Sequence, residues 1–255
     1  MKKVVAVIGT AQKKATYRAV QEFEKDLKAY GEVDFEYVLL HEYNLEFCRG
    51  CKLCLDKGEE YCPLRDDRDA LLAKMEAADG MVFATPNYSF QVSARLKNFL
   101  DRTAYIFHRP RFFGKAFCAI VTQGFFGGKQ ILKYLETMGE NFGFTISKGA
   151  SLNTLDPITA AQQTRLAFEM AKASGRFWKA MNRKAIPKPS FFRLMMFRIT
   201  RTMLKTFELR FRDYDYYREK GWFESDYYYA TSLGPLKKTS GYVFDWIARR
   251  ITKRL

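Results

Sequence analysis

Four of the five cysteines in this 255-residue chain fall within fifteen residues, as Cys48-Arg-Gly-Cys51-Lys-Leu-Cys54 and then Cys62-Pro63. Thiolates are soft ligands, and four of them converging from one loop suit an iron-sulfur cluster or a tetrahedral zinc. Structural zinc sites usually join two separated cysteine pairs. Two successive x2 intervals, a fourth cysteine further on and a following proline instead match a cluster-binding loop, with Gly50 letting the backbone approach inorganic sulfur. A 4Fe-4S cluster on Cys48, Cys51, Cys54 and Cys62 is therefore the leading expectation, and a zinc knuckle and redox-labile thiols stay open beside it. Cys118, inside an apolar stretch, reads as a small core residue.

Three further stretches could hold a ligand. Gly9-Thr-Ala-Gln-Lys-Lys-Ala-Thr16 offers hydroxyls, two lysines and a helix start, a seat for phosphate. Thr85-Pro-Asn-Tyr-Ser89 presents an aromatic ring and amide groups, and Gln123-Gly-Phe-Phe-Gly-Gly128 lets backbone approach a flat ring. Each alone is an ordinary turn; at the ends of three strands they outline one pocket.

The elements that must position them follow from the apolar pattern. Strands are expected at residues 3–8, 33–40, 80–85, 116–122 and 144–149, and helices at about 16–30, from Asp66-Asp67 onward, 93–107, 129–141 and 159–181. Five apolar strands alternating with helices predict an α/β, doubly wound parallel sheet. Lys97, Asp101 and Arg102 share a helix and read as a structural ion-pair set. His41 and His108, the only two histidines, read as surface or capping residues.

The order of Val-Ile-Gly-Thr10, Cys62-Pro-Leu-Arg-Asp-Asp67, Ala78-Asp-Gly-Met-Val-Phe-Ala-Thr-Pro-Asn-Tyr88 and Leu96-Lys-Asn-Phe-Leu-Asp-Arg102 resembles the flavodoxin-like NAD(P)H-dependent FMN reductases. The compact cysteine loop is similar to that of the iron-sulfur flavoproteins within that family. The resemblance covers about residues 1–180 and implies a five-stranded flavodoxin-like sheet holding FMN. Thr10, Gln12, Lys13 and Thr16 would surround its phosphate, Pro86, Asn87, Tyr88 and Ser89 would lie along the isoalloxazine, and Gln123, Gly124, Gly127 and Gly128 would lie against the other edge. Family members often carry Gly-Ser-Pro-Arg where this chain has Gly9-Thr-Ala-Gln12, so the phosphate would lean on Lys13 or Lys14 and on backbone amides. The implied activity is an FMN-dependent oxidoreductase relaying electrons between FMN and a 4Fe-4S cluster. NAD(P)H or a ferredoxin would be donor and a small molecule or protein the acceptor, and no catalytic side chain is assigned because the flavin carries the chemistry. A non-enzymatic electron carrier, or a reductase whose cysteines bind zinc or no metal, is the alternative.

Ile186-Pro-Lys-Pro189 marks a boundary, dividing 1–184, a flavodoxin-like domain with cysteine loop 48–62, from an extension at 185–255. The extension carries 15 Lys and Arg against 7 Asp and Glu, and 16 of the 41 aromatics. Phe192, Met195, Met196, Ile199, Met203 and Phe207 recur at helical spacing, with Arg198, Arg201, Lys205, Glu208 and Arg212 on the other side. This basic amphipathic segment predicts docking on the body or a homo-oligomer interface, with peripheral membrane contact through 190–212 as the competing expectation. Nucleic acid is set aside because no binding module accompanies the aromatics. A final helix is expected from about Gly241.

The 47% hydrophobic content excludes wholesale disorder, and the net charge of +15 is densest in the extension. No run of 18 apolar residues occurs, and the chain opens directly on a strand, which predicts a cytoplasmic, possibly membrane-associated protein with cysteines kept for metal or catalysis.

Overall fold

The computed structural model describes residues 1–154, 157–207 and 211–253. They form two compact units: residues 1–49 with 64–185, and residues 50–63 with 186–255. The second unit therefore takes in the segment carrying Cys51, Cys54 and Cys62, which the sequence boundary assigned to the first domain.

In the first unit, apolar runs become strands buried on both faces: β1 (Lys2–Ile8), β3 (Gly80–Pro86) and β4 (Ala116–Gln123), with β2 (Val33–Leu39) at one edge. All pairs are parallel, in the order β2-β1-β3-β4 and then the last edge, the 2-1-3-4-5 order of a flavodoxin-like sheet. The expected fifth strand is split. β5 (Thr145–Ile146) pairs with Ala116 and Phe117, and β6 (Ala150–Asn153) resumes against Ile120 to Gln123. Gly149, between them, presses on β4 so closely that a Cβ there would lie 1.9 Å from the carbonyl oxygen of Ala119. The Gly149 N–H, unable to pair in the sheet, donates to Glu136 Oε1 at 2.9 Å.

The helices α1 (Ala15–Lys28), α3 (Arg68–Ala77), α4 (Ala94–Arg102), α5 (Gly128–Phe142) and α6 (Ala160–Met181) flank the sheet, and α2 is the single turn Leu53–Asp56 in the cysteine segment. On one face Ala19, Val20, Phe23 and Leu27 of α1 join Leu166, Met170 and Phe177 of α6 over Val4, Ala6, Val82 and Cys118. On the other, Phe83 meets Phe99 and Phe117 at ring distances of 6.3 and 5.1 Å. Burial pushes the Cys118 thiol up to about 12, as a core residue requires. The helix expected through Phe107 stops as α-helix at Arg102 and continues only as a 3-10 turn, Ala104–Phe107.

In the second unit, α7 (Phe191–Phe207), α8 (Arg212–Glu219) and α9 (Pro235–Thr252) surround Leu194, Phe197, Tyr217, Trp222 and Tyr227. The last helix begins six residues before the expected Gly241, at Pro235, a first-turn position where proline loses no hydrogen bond. The amphipathic expectation for α7 holds only in part. Arg198, placed by pattern on the solvent side, is buried, and with Arg201 it grips Asp245 of α9. Arg198 Nε and Nη2 donate to the two carboxylate oxygens at 3.1 and 2.5 Å, and Arg201 Nη2 at 2.9 Å. Phe192 and Met196, from the apolar stripe, are exposed. A buried carboxylate draws arginines inward more strongly than the apolar stripe draws itself in, because leaving Asp245 unpaired there would cost several kcal/mol. Glu208 lies outside the described residues, as does the side chain of Phe207. Among the described residues no helix is long and apolar enough to cross a membrane.

Candidate functional site

A cleft of about 300 Å³ opens where the sheet order reverses, at the carboxyl ends of β1, β3 and β4. Its walls come from the three loops the sequence singled out, with Thr10, Gln12, Lys14, Ala15 and Thr16; Pro86, Asn87 and Tyr88; Gln123 and Gly124; and from Thr122 in β4 and Thr154 after β6.

At one end lies the start of α1. No side chain caps it and no acid sits in its first turn, so its N–H groups and the positive end of its dipole face the cleft uncompensated. Buried Thr16 Oγ1 meets Thr122 Oγ1 at 2.6 Å, tying the first turn to the end of β4. The Gln12 N–H bonds Thr10 Oγ1 at 3.2 Å and curls the preceding loop.

At the other end Gln123 is a hub. Its Oε1 accepts from Gly128 N at 2.5 Å and Asn87 Nδ2 at 3.5 Å, and its Nε2 donates to Asn153 Oδ1 at 2.7 Å. Asn87 donates further to the Phe126 carbonyl at 2.9 Å, and its backbone N–H to Thr122 O at 2.7 Å. Two buried oxygens, Asn87 Oδ1 and Thr154 Oγ1, have no hydrogen-bond partner among the described residues. The turn Tyr88–Gln91 closes with reciprocal backbone bonds of 3.0 Å, Ser89 and Phe90 both taking left-handed φ values of 51° and 62°. Two such non-glycine residues store backbone strain at the mouth of a cleft. Tyr88, Phe90, Phe125 and Phe126 are exposed around it, with the Phe90 and Phe126 rings 5.3 Å apart.

Eight of the twelve residues expected to bind the ligand line the cleft, and four do not: Lys13, Ser89, Gly127 and Gly128. Lys13 instead holds its ammonium 5.6 Å from the Tyr17 ring, one turn along α1, and Lys14 lines the cleft in its place. Ser89 occupies the strained turn. The glycines serve packing: a Cβ on Gly127 would lie 2.5 Å from the Phe90 ring, and one on Gly128 2.3 Å from Ser151 Oγ. Ala15, Thr122 and Thr154 were missed; Thr122 had a signal, a hydroxyl at the carboxyl end of a buried strand.

The cysteine loop is anchored at its start within the first unit. Arg102, expected to pair on its own helix, reaches Asp66 instead, with Nη1 and Nη2 at 2.5 and 2.9 Å from the carboxylate oxygens and side chains 1% and 0% exposed. Lys97 and Asp101 alone form the surface pair. Arg102 also donates to Glu46 O at 2.8 Å, Asp66 accepts from Glu46 N at 2.9 Å, and Asn98 Oδ1 accepts the Cys48 N–H at 3.0 Å. Burial raises the Asp66 carboxyl, but the Arg102 hydrogen bond and the N–H groups of Glu46 and Arg68 outweigh it and hold the group below its ordinary value. Beyond the anchor, Gly50 and Lys52 take left-handed φ values of 62° and 60° before α2, which packs on α8 within the second unit. No cysteine forms a disulfide; Cys48 and Cys51 are exposed and Cys54 and Cys62 partly so. The donor set suits a soft metal centre in kind. Among the described residues, however, no three His, Cys, Asp or Glu side chains gather closely enough to hold a metal ion.

The family model for NADPH-dependent FMN reductase matches residues 2–154. An iron-sulfur flavoprotein of Archaeoglobus fulgidus is 26% identical over 224 residues, 86% of this chain and 99% of its own length. A second one from that organism is 32% identical over 127 residues, 49% of this chain and 61% of its own length. Among solved structures, an azoreductase from Bacillus anthracis superposes with a TM-score of 0.56 at 16% identity, over 69% of this chain and 100% of its own.

Proposed function

We propose, since this chain belongs to the NADPH-dependent FMN reductase family and is a flavin-dependent oxidoreductase, that it holds FMN in the cleft and a 4Fe-4S cluster on Cys48, Cys51, Cys54 and Cys62. When bound, the flavin supplies exchange of an electron pair and the cluster exchange of single electrons. The observation that carries the flavin assignment is the pair of buried, unpartnered oxygens, Asn87 Oδ1 and Thr154 Oγ1, in a cleft whose far end is an uncapped helix start. Such oxygens need donors, and a ring carrying N–H supplies them while a phosphate satisfies the helix end.

The protein's own groups then have defined tasks. Thr10, Gln12, Thr16 and the first N–H groups of α1 bind the phosphate, with Lys14 adding charge. Gln123 fixes the position of Asn87 and of the 124–128 loop, so that neither reorganises on binding. The exposed ring pair Phe90 and Phe126 offers an apolar seat suited to a quinone-like acceptor, and NAD(P)H or a ferredoxin would serve as donor. The cluster assignment is supported by the donor chemistry of the loop and by the iron-sulfur flavoprotein relatives. The dispersed thiols favour a second reading, a flavin reductase whose cysteine loop holds no metal.

An absorption spectrum of protein purified without oxygen, with iron and acid-labile sulfide assays, separates the two. Flavin bands near about 375 and 450 nm over a broad shoulder, with about four irons per chain, are expected. Flavin without iron selects the second reading, and absence of both overturns the assignment.

A further inference from the structure

The second unit presents a surface that the proposed redox chemistry does not use. In α9 the one carboxylate, Asp245, points inward and is taken by Arg198 and Arg201, so the outward arc carries no acid. At 100° per residue, Leu236, Thr239, Val243, Trp246 and Arg250 fall on that arc, Lys253 flanks it, and exposed Lys238 and Arg249 lie further round toward Asp245. Leu236 is 71% exposed, Val243 49% and Trp246 53%, far more than apolar groups retain when they serve a core. Arg250 lies over the Trp246 ring at 4.2 Å, so charge and ring face solvent together. The neighbouring carboxylates are already committed: Glu224 to Lys205 at 2.6 Å and Asp226 to Arg198 at 2.8 Å. On the other side of α9, Lys237 donates to Pro189 O at 2.7 Å and its ammonium lies 5.5 Å from the ring of exposed Phe191. Phe192 beside it is 65% exposed.

We propose that the outward face of α9 docks on the surface of an anionic phospholipid bilayer. Charge complementarity selects that occupant. Leu236, Val243 and Trp246 would enter the headgroup boundary, where an indole ring is favoured, while Lys238, Arg249, Arg250 and Lys253 meet lipid phosphates. The face differs from the one the sequence pattern indicated, 190–212, because Arg198 and Arg201 are turned inward there.

The test is sedimentation of the full-length protein with vesicles of phosphatidylglycerol and phosphatidylcholine, against vesicles of phosphatidylcholine alone, with circular dichroism as the check on folding. Binding to the anionic vesicles only, weakened by salt, is expected. The variant R249Q/R250Q/K253Q should lower the partition coefficient by about a hundredfold, each neutralised cation contributing about fivefold. Trp246→Ala should weaken binding with the charge unchanged. The variant K25Q/K28Q, which removes two cations from α1, should bind as wild type. Equal binding to neutral vesicles, equal loss in the α1 variant, or no binding to either vesicle overturns the proposal. So does a self-association in sedimentation velocity that Trp246→Ala abolishes, which would make a second copy the occupant.

Discussion

Around the cleft, one side chain, Gln123, holds Gly128, Asn87 and Asn153 in place; along the cysteine loop the backbone is ordered by its own turns, but the thiols are not brought together. The cleft is pre-built, with strained turns already set and two buried oxygens waiting for donors. The loop is held at Cys48 by the Asp66–Arg102 pair and Asn98 and continues into α2, which packs on α8, yet among the described residues no three metal-ligating side chains gather along it. Flavin binding should therefore need little rearrangement and no metal. Any cluster would have to gather its own ligands, so the two cofactors should be separable by mutation.

The largest effect should come from the anchor. Asp66→Ala leaves the Arg102 charge buried without its partner and is expected to cost about 3–5 kcal/mol, read as a shift in the urea midpoint. The same carboxylate gives an acid signature. Its folded value is depressed, so its contribution is present above the unfolded value of about 4 and is lost as pH falls through the folded one. Wild type should lose stability below about pH 4 by more than Asp66→Asn does. Equal acid loss in both proteins would mean that the anchor is not this pair.

Next should come the hub. Gln123→Ala strands the Gly128 N–H and frees Asn87, and is expected to weaken flavin binding by about 2 kcal/mol, roughly thirtyfold, in a fluorescence titration. The iron content should not change. A variant that lost iron and kept flavin affinity would invert the contrast between cleft and loop.

Single Cys→Ala changes at Cys48, Cys51, Cys54 or Cys62 should abolish bound iron while the flavin bands persist. Cys118→Ala should keep both. In metal-free native protein, four thiols should react with an alkylating reagent and Cys118 should resist, since burial pushes it up to about 12. The smallest effect belongs to Lys97→Ala, a surface i,i+4 pair with Asp101, expected to change stability by about 0.5 kcal/mol or less.

The sheet and the strand ends that carry the cleft could both be read along the chain. Each is a local property: unbroken apolar runs have no stable home except a doubly covered strand, and a switch point follows from the order of such strands. Thr10, Gln12, Thr16, Pro86, Asn87, Tyr88, Gln123 and Gly124 were legible for that reason. The rest turned on distant partners, which only the folded molecule supplies. Asp66 claimed Arg102 from its own helix, Asp245 pulled Arg198 and Arg201 inside while Phe192 and Met196 stayed exposed, and Gly149 broke the edge strand against Ala119. Lys13 and Lys14 are adjacent in the bend before α1, and only the folded chain decides that one ammonium lies by Tyr17 while the other lines the cleft. A pattern along the chain states which residues can face a common side; which side is buried depends on where the opposite charge lies in space.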